Sequence, residues 1–487
     1  MKLISECVCP TERPIKVAQF GEGNFLRAFA DWMIDIANEK GIYDGNIAII
    51  KPTSRGNLDR FERQNNLYTV YLRGKKNGSV YNESRIIRSV SESINCYTNY
   101  PAFAALAALP TLRVVISNTT EAGIFFDPSD RFDRKPPESY PGKLTQFLYL
   151  RYQAFAGDPT KGLVILPVEL LEDNGKILKD CVFKLAALWK LDSKFLDWLN
   201  QSCVFCSTLV DRIVTGYPKE EAAEICSQLG YSDELLDVAE PFALWIIEGE
   251  KKVERVFPLD KAGLPVLFTH DQRPYRERKV RILNGAHTST ALAAYLMGKE
   301  TVGECMADPL ISQYMKTIVE REIIPTLKLP KQKVLPFARD VFERFENPFI
   351  KHKLLSITIN SVSKWKSRLL PTFEDSVAAN GVPPKLIVFS FAALLAFYSS
   401  HEKRENLLFG KRNGEFYEIH DNANILDFFA KNSFKPVNEY VNATMRNVAF
   451  WGKDLTQFHH FESMVCDDLT EMRARGMKAA MTDVLKK

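Results

Sequence analysis

Ile15-Lys16-Val17-Ala18-Gln19-Phe20-Gly21-Glu22-Gly23-Asn24-Phe25-Leu26 is the stretch on which the reading of the fold turns. A short apolar run ends in two glycines one residue apart. It then passes into Phe25 to Ala37, where apolar side chains recur every three or four residues, so the order predicted is strand, turn, helix. In such a unit the first glycine permits the tight turn and the second lets a pyrophosphate approach the backbone, while the helix N-terminus offers free amides to phosphates. The stretch therefore makes Phe20, Gly21, Glu22, Gly23, Asn24 and Phe25 candidates for a dinucleotide site, the alternative being a glycine turn made for purely structural reasons. Leu26 stands where a third glycine would be expected, which predicts a helix packed less closely on its sheet.

Working outward, Ile47 to Ile50, Leu112 to Ser117 and Gly162 to Pro167 read as buried strands of a parallel sheet. Tyr68 to Leu72 and Ile86 to Val90 read as further strands, and Asp127 to Gly142, rich in proline and charge, as a surface loop. The segment Ser117-Asn118-Thr119-Thr120-Glu121 follows one of these strands, and ligands gather at the carboxyl ends of strands in open parallel sheets. Asn118, Thr119 and Glu121 are thus candidates for the cofactor; a helix cap made by Asn118 or Thr119 accounts for them equally well. The second strand ends in Lys51-Pro52-Thr53-Ser54-Arg55, not in the acidic residue that would grip a ribose. Lys51 and Arg55 either receive a 2′-phosphate or face solvent from a loop, so the residues leave NAD and NADP open.

Beyond about residue 270 the pattern turns helical, with candidates at Lys279 to Met297, Ile311 to Ile324, Pro384 to Tyr398 and Leu455 to Leu485. The expected architecture is an α/β Rossmann-like N-terminal domain over 1–270 and a mainly α-helical C-terminal domain over 271–487. The division falls in the proline-bearing stretch Leu264 to Pro274. A net charge of +4, spread without runs, names no nucleic-acid or membrane partner. The polar N-terminus and the lack of a long apolar span favour a cytoplasmic protein. Cys203 and Cys206 have CxxC spacing, but no second pair follows, so buried thiols are expected and no metal site.

Chemistry concentrates in Lys279-Val280-Arg281-Ile282-Leu283-Asn284-Gly285-Ala286-His287. On a regular helix Lys279, Asn284 and His287 span an arc of roughly 140°. Reduction of a ketone needs a proton donor for the developing alkoxide and hydrogen bonds to polarise the carbonyl, and these side chains supply both. A solvated lysine with an Asn and a His that only satisfy backbone groups would leave the same residues in place.

This segment resembles the polyol-specific long-chain dehydrogenases typified by mannitol dehydrogenase, as do Gly21-x-Gly23-x-Phe25-x-Arg27 and the run Ser207 to Ile213. Within them, FGEGNFLRAF, SNTTEAGI, FCSTLVDRIVTGYP, ERKVRILNGAH and NPFIKHKLLSI resemble the tagaturonate reductase branch. The resemblance implies NAD(H), a keto-hexuronate substrate and metal-independent catalysis in a cleft between the domains. It makes Lys279 the general acid/base and gives Asn284 and His287 the reacting oxygen. It also places Ser207 where mannitol dehydrogenases carry an assisting asparagine, and Lys364 at a family lysine near the substrate. Arg368 is suited to pairing with a carboxylate; an ordinary solvated helix face would carry Lys364, Lys366 and Arg368 equally well. The same chemistry on another sugar acid or polyol, or a silent nucleotide-binding protein of this fold, is the alternative.

Overall fold

The computed structural model describes residues 1–119, 122–400, 402–404 and 407–486. The chain divides into two compact units, Met1–Gln272 and Arg273–Lys487.

The N-terminal unit is built on a six-stranded sheet of β1 (Ile15–Phe20), β2 (Asn46–Lys51), β3 (Val90–Asn95), β4 (Val114–Ser117), β5 (Val164–Pro167) and β6 (Val204–Phe205). Its order is β3-β2-β1-β4-β5-β6, with every neighbouring pair parallel. This is the Rossmann order, which reverses between β1 and β4. A parallel sheet covered on both faces needs strands apolar on both sides, and every residue of β2, β4 and β5 is buried. Alternation along β1 serves two cores: Val17 packs with Phe29, Met33 and Trp245, whereas Ala18 and Phe20 pack with Phe103, Tyr140 and Phe147.

Two departures from the expected elements have local causes. The stretch 86–90 is no single strand: Ser79–Ile87 pairs antiparallel with Tyr68–Lys76 in a second sheet, and Val90 opens β3. Between them Arg88 N donates to Asp35 Oδ1 at 2.8 Å and Ser89 Oγ to Asp31 O at 3.0 Å, which takes the chain out of one ladder before it enters the next. The expected loop to Gly142 also ends early. Ser139 Oγ accepts from Gly142 N at 2.9 Å and caps a helix at Tyr140–Ala154 with Pro141 in its first turn.

In the C-terminal unit, Gly285–Leu296 is buried from Gly285 through Tyr295, and Lys385–Phe397 is apolar nearly all round, as central helices must be. Gly285–Leu296 packs on Lys385–Phe397, Pro309–Ile318, Leu354–Thr358 and Ser361–Arg368. A three-stranded antiparallel meander, Glu402–Arg404, Leu407–Arg412 and Glu415–Ile419, joins the helices. The helices expected over 279–297 and 311–324 each contain a π turn, at Lys279–Asn284 and Val319–Ile323. The one expected over 455–485 is broken: a 3-10 turn at Leu455–Gln457 precedes Phe461–Arg475, and Gly476, at φ 83°, separates that helix from Met477–Lys486. No helix among the described residues is long and apolar enough to cross a membrane.

Candidate active site

Three strand ends meet at Gly21. Its N–H donates to Ile50 O at 2.9 Å, closing the turn on β2, while Asn118 N donates to Phe20 O at 3.2 Å from the end of β4. Gly21 sits at φ 128°, and a Cβ there would lie 3.2 Å from Leu26 Cδ1 and 3.3 Å from Asn118 O. Only glycine fits that place without strain. Gly23 differs: it is exposed at the N-cap of Asn24–Leu26, and an added Cβ meets nothing within 4 Å. Open space before a glycine at a helix N-terminus, on the switch point of a parallel sheet, fits a pyrophosphate against the backbone.

The side chains of this turn have other work. Phe20 is wholly buried in edge-on contact with Phe103, Tyr140 and Phe147, so only its backbone is left at the strand end. Phe25 stacks on Phe29 at 5.0 Å. Asn24 Oδ1 accepts from Arg27 Nη2 at 2.5 Å, and Arg27 also donates to Leu235 O. Arg27 opens a π turn, Arg27–Asp31, whose Asp31 accepts from Tyr68 Oη at 2.6 Å and is pushed by burial to about 7. Glu22 Oε1 lies 3.8 Å from Lys51 Nζ.

Lys51 neither faces solvent nor awaits a phosphate. It is buried, and its ammonium donates to Thr53 O at 2.7 Å, Thr53 Oγ1 at 2.8 Å and Arg55 O, folding the loop after β2 around itself. A buried ammonium costs several kcal/mol unless so satisfied. Arg55 is exposed. Asn118 Nδ2 donates to Val168 O at 3.2 Å, and Thr119 donates from both its N and its Oγ1 to Glu169 Oε1, at 3.0 and 3.1 Å. Neither caps a helix, since among the described residues none begins between Asn118 and Tyr140. Glu121 lies outside the described residues. Ser207 opens a strand, Ser207–Asp211, and its Oγ is buried with no hydrogen-bond partner among the described residues. Cys203 and Cys206 are buried thiols, each pushed by burial to about 12.

In the C-terminal unit the π turn changes how Lys279, Asn284 and His287 share a face. A π turn inserts one residue into the helix, so Lys279 and Asn284 stand as though four residues apart, and their separation closes from about 140° to about 40°. Lys279 and Asn284 are half-buried, and His287 is buried. The His287 ring lies 4.2 Å from that of Phe345 and 5.2 Å from that of His352, centroid to centroid. Burial first, then His352, Arg368, Arg344 and Lys364, hold its pKa well below the usual imidazole range, so the ring is neutral at pH 7. Arg368 Nη1 donates to Thr288 Oγ1 at 3.2 Å, and Lys364 Nζ to Ile357 O at 2.8 Å. The structure thus gathers His287, Lys364 and Arg368 in one neighbourhood, with Asn284 one turn from His287.

Residues 15–261 match the mannitol dehydrogenase Rossmann domain, and residues 271–473 match the mannitol dehydrogenase C-terminal domain. The chain belongs to the mannitol dehydrogenase family. It is an oxidoreductase. Over 475 residues it is 42% identical to an altronate oxidoreductase of Yersinia enterocolitica, covering 96% of each chain. Over 474 residues it is 40% identical to an altronate oxidoreductase of Bacillus subtilis, covering 97% of this chain and 95% of that one. Its fold is similar to that of Pseudomonas fluorescens mannitol 2-dehydrogenase, solved as a ternary complex with NAD and D-mannitol. The TM-score is 0.66, with 22% identity over 100% of this chain and 97% of the other.

Three further side chains stand at the candidate sites without having been singled out from the sequence. Glu169 follows β5 and binds the Ser117–Thr119 turn through both oxygens; burial raises its pKa to about 7. Asn174 braces three segments: its Nδ2 donates to Pro167 O and Glu169 O at 3.0 Å, and its Oδ1 accepts from Thr208 N at 2.9 Å. His352 is the third. The signal for it was on the page, because between Glu346 and Glu374 the chain has Lys351, His352, Lys353, Lys364, Lys366 and Arg368 but no acidic residue.

Proposed function

We propose that this protein is an NAD-dependent oxidoreductase of sugar acids that reduces the ketone of tagaturonate to the alcohol of altronate, reversibly. The observation that carries this reading is the 42% and 40% identity, over nearly the whole chain, to altronate oxidoreductases. Residues 1–270 act as the dinucleotide-binding domain and 271–487 as the domain that holds the substrate and does the acid–base work.

The backbone of Gly21 to Phe25 and the turn at Asn118 and Thr119 hold the dinucleotide, with Glu121 on the same segment. When bound, the nicotinamide supplies the hydride. Asn284 and neutral His287 donate hydrogen bonds to the ketone oxygen and polarise it, and among the described residues neither side chain has another hydrogen-bond partner to give up. Lys279 Nζ gives its proton to the oxygen as negative charge develops there, and takes one from the alcohol in the reverse direction. Lys364 and Arg368 hold the anionic substrate, and Ser207 Oγ, buried and unpartnered, has a hydrogen bond to offer.

The reading is tested by following NADH oxidation with chelator-treated protein and tagaturonate, fructuronate or fructose. Turnover is expected with tagaturonate at a kcat/KM well above the other two, undiminished by chelation. Preference for fructuronate or fructose would overturn the substrate assigned, and loss of activity on chelation would overturn lysine as the sole acid.

A further inference from the structure

The C-terminal unit contains a concentration of positive charge that the acid–base step does not use. His352 stands beside His287, on the segment leading into the helix Leu354–Thr358. Several elements packed there present a cation or an imidazole, whereas the segment 300–302, which meets the His352 segment through Val302 N donating to His352 O at 3.0 Å, has its Glu300 carboxylate paired with Arg412. His287 comes from Gly285–Leu296, Arg344 from Lys331–Phe345, and Lys364 and Arg368 from Ser361–Arg368. Lys351 and Lys353, on the segment of His352 itself, are exposed.

Charge of one sign, half-buried, is costly unless something answers it. Asp421 acts on Lys364 but does not come within ion-pair distance, and its oxygens already accept from Tyr398 Oη at 2.5 Å, Val362 N at 3.4 Å and Asn422 N at 2.8 Å. Arg368 carries five N–H donors and is held by Thr288 Oγ1, with no ion pair among the described residues. The His352 ring likewise makes no hydrogen bond among the described residues. Burial and Lys364 hold its pKa below the usual imidazole range, so the free protein keeps it neutral.

Resting on the reading of the substrate as a sugar acid, we propose that His352 completes, with Arg368 and Lys364, the seat of the substrate's carboxylate, and so separates sugar acids from neutral polyols. The planar fork of Arg368 suits two carboxylate oxygens, and Lys364 adds a point charge. His352 adds a conditional charge. A carboxylate brought beside it favours the imidazolium, so acid binding takes up a proton there, whereas a neutral ketose gives the ring no reason to ionise. Binding linked to proton uptake tightens as pH falls and weakens as pH rises through the pKa of the complex. In a keto-hexuronate such as tagaturonate the carboxylate and the ketone lie near opposite ends of the chain. The seat therefore fixes the far end while His287 meets the reacting oxygen.

The test compares wild type with His352→Gln and His352→Ala, using tagaturonate and the neutral ketose tagatose at a series of pH values. Loss of a charged hydrogen bond is expected to raise KM for tagaturonate roughly tenfold or more. It should leave kcat and the values for tagatose nearly unchanged, and abolish the rise of KM between about pH 6 and 8. Calorimetric titration with altronate, in buffers of different ionisation enthalpy, should show proton uptake in wild type that His352→Gln loses. An equal fall for both substrates, or proton uptake unchanged in His352→Gln, would overturn the proposal. Wild type that neither turns over tagaturonate nor binds altronate, yet acts on a neutral polyol, would overturn the sugar-acid reading itself, and the two failures are distinct.

Discussion

On the proposed function, the two units present polar groups to small molecules in opposite ways. At Gly21 and Gly23 the offered groups belong to backbone, the neighbouring side chains being occupied in the core, in stacking or in pairing with Arg27. In the C-terminal unit the proposed groups are side chains, Asn284, His287, Lys364 and Arg368 from helical elements whose backbone is internally bonded, and His352 from the segment before Leu354–Thr358. The difference teaches what each site can tolerate. A turn made of backbone responds to shape, so a single Cβ matters and charge changes matter little. A cluster of side chains responds to charge and proton affinity, so isosteric changes matter most.

The sharpest break should come at Lys279. Lys279→Ala is expected to lower the single-turnover rate of NADH oxidation with tagaturonate by roughly 10² to 10⁴, the range for losing a positioned acid. A rate within a few-fold of wild type would remove the acid assigned to the C-terminal unit. Glu169 tests the other side. Its carboxyl is raised from 4.5 to about 7, so the folded chain holds the proton more tightly than the unfolded one. The stability it contributes is full below about pH 4.5 and lost as pH rises through about 7. Glu169→Gln keeps an acceptor for Thr119 N but cannot ionise. Relative to wild type, its unfolding free energy in urea should therefore improve by up to about 3 kcal/mol between those pH values. A constant difference across pH would show that Glu169 does not titrate in that range.

Gly21→Ala should cost about 1 to 3 kcal/mol, because φ 128° is strained for any L side chain and the added Cβ meets Leu26 and Asn118 O. Urea unfolding measures this, and an unchanged midpoint would mean that the turn relaxes freely. The smallest effect is expected at Lys51. With its ammonium spent on Thr53 and Arg55, Lys51→Gln should leave the ratio of kcat/KM for NADH over NADPH within roughly twofold, where loss of a phosphate contact would shift it roughly tenfold or more.

Much of the N-terminal sheet was legible because parallel strands are buried on both faces and leave unbroken apolar runs such as Ile47 to Ile50. The glycine turn was legible because its residues are contiguous. Lys51 was visible as an oddity, but its purpose was not, since nothing in a sequence says that an ammonium will turn inward upon its own loop. The π turn at Lys279–Asn284 was hidden for a related reason. Periodicity assumes 3.6 residues per turn, and an inserted residue changes which side chains share a face without changing their types. Glu169 and Asn174 bear no local pattern; their value arises only when β4, β5 and the strand Ser207–Asp211 come together around them.

The division of labour between backbone turn and side-chain cluster is tested most directly by equilibrium titration with NADH of two variants side by side, Gly23→Ala and Lys279→Ala. Gly23→Ala puts a methyl group into space the structure leaves open, without strain at φ −70°. It should weaken NADH roughly tenfold or more while the chain stays as stable as wild type, and Lys279→Ala should bind NADH within roughly twofold of wild type. NADH affinity unchanged in Gly23→Ala, or lost equally in Lys279→Ala, would contradict the account.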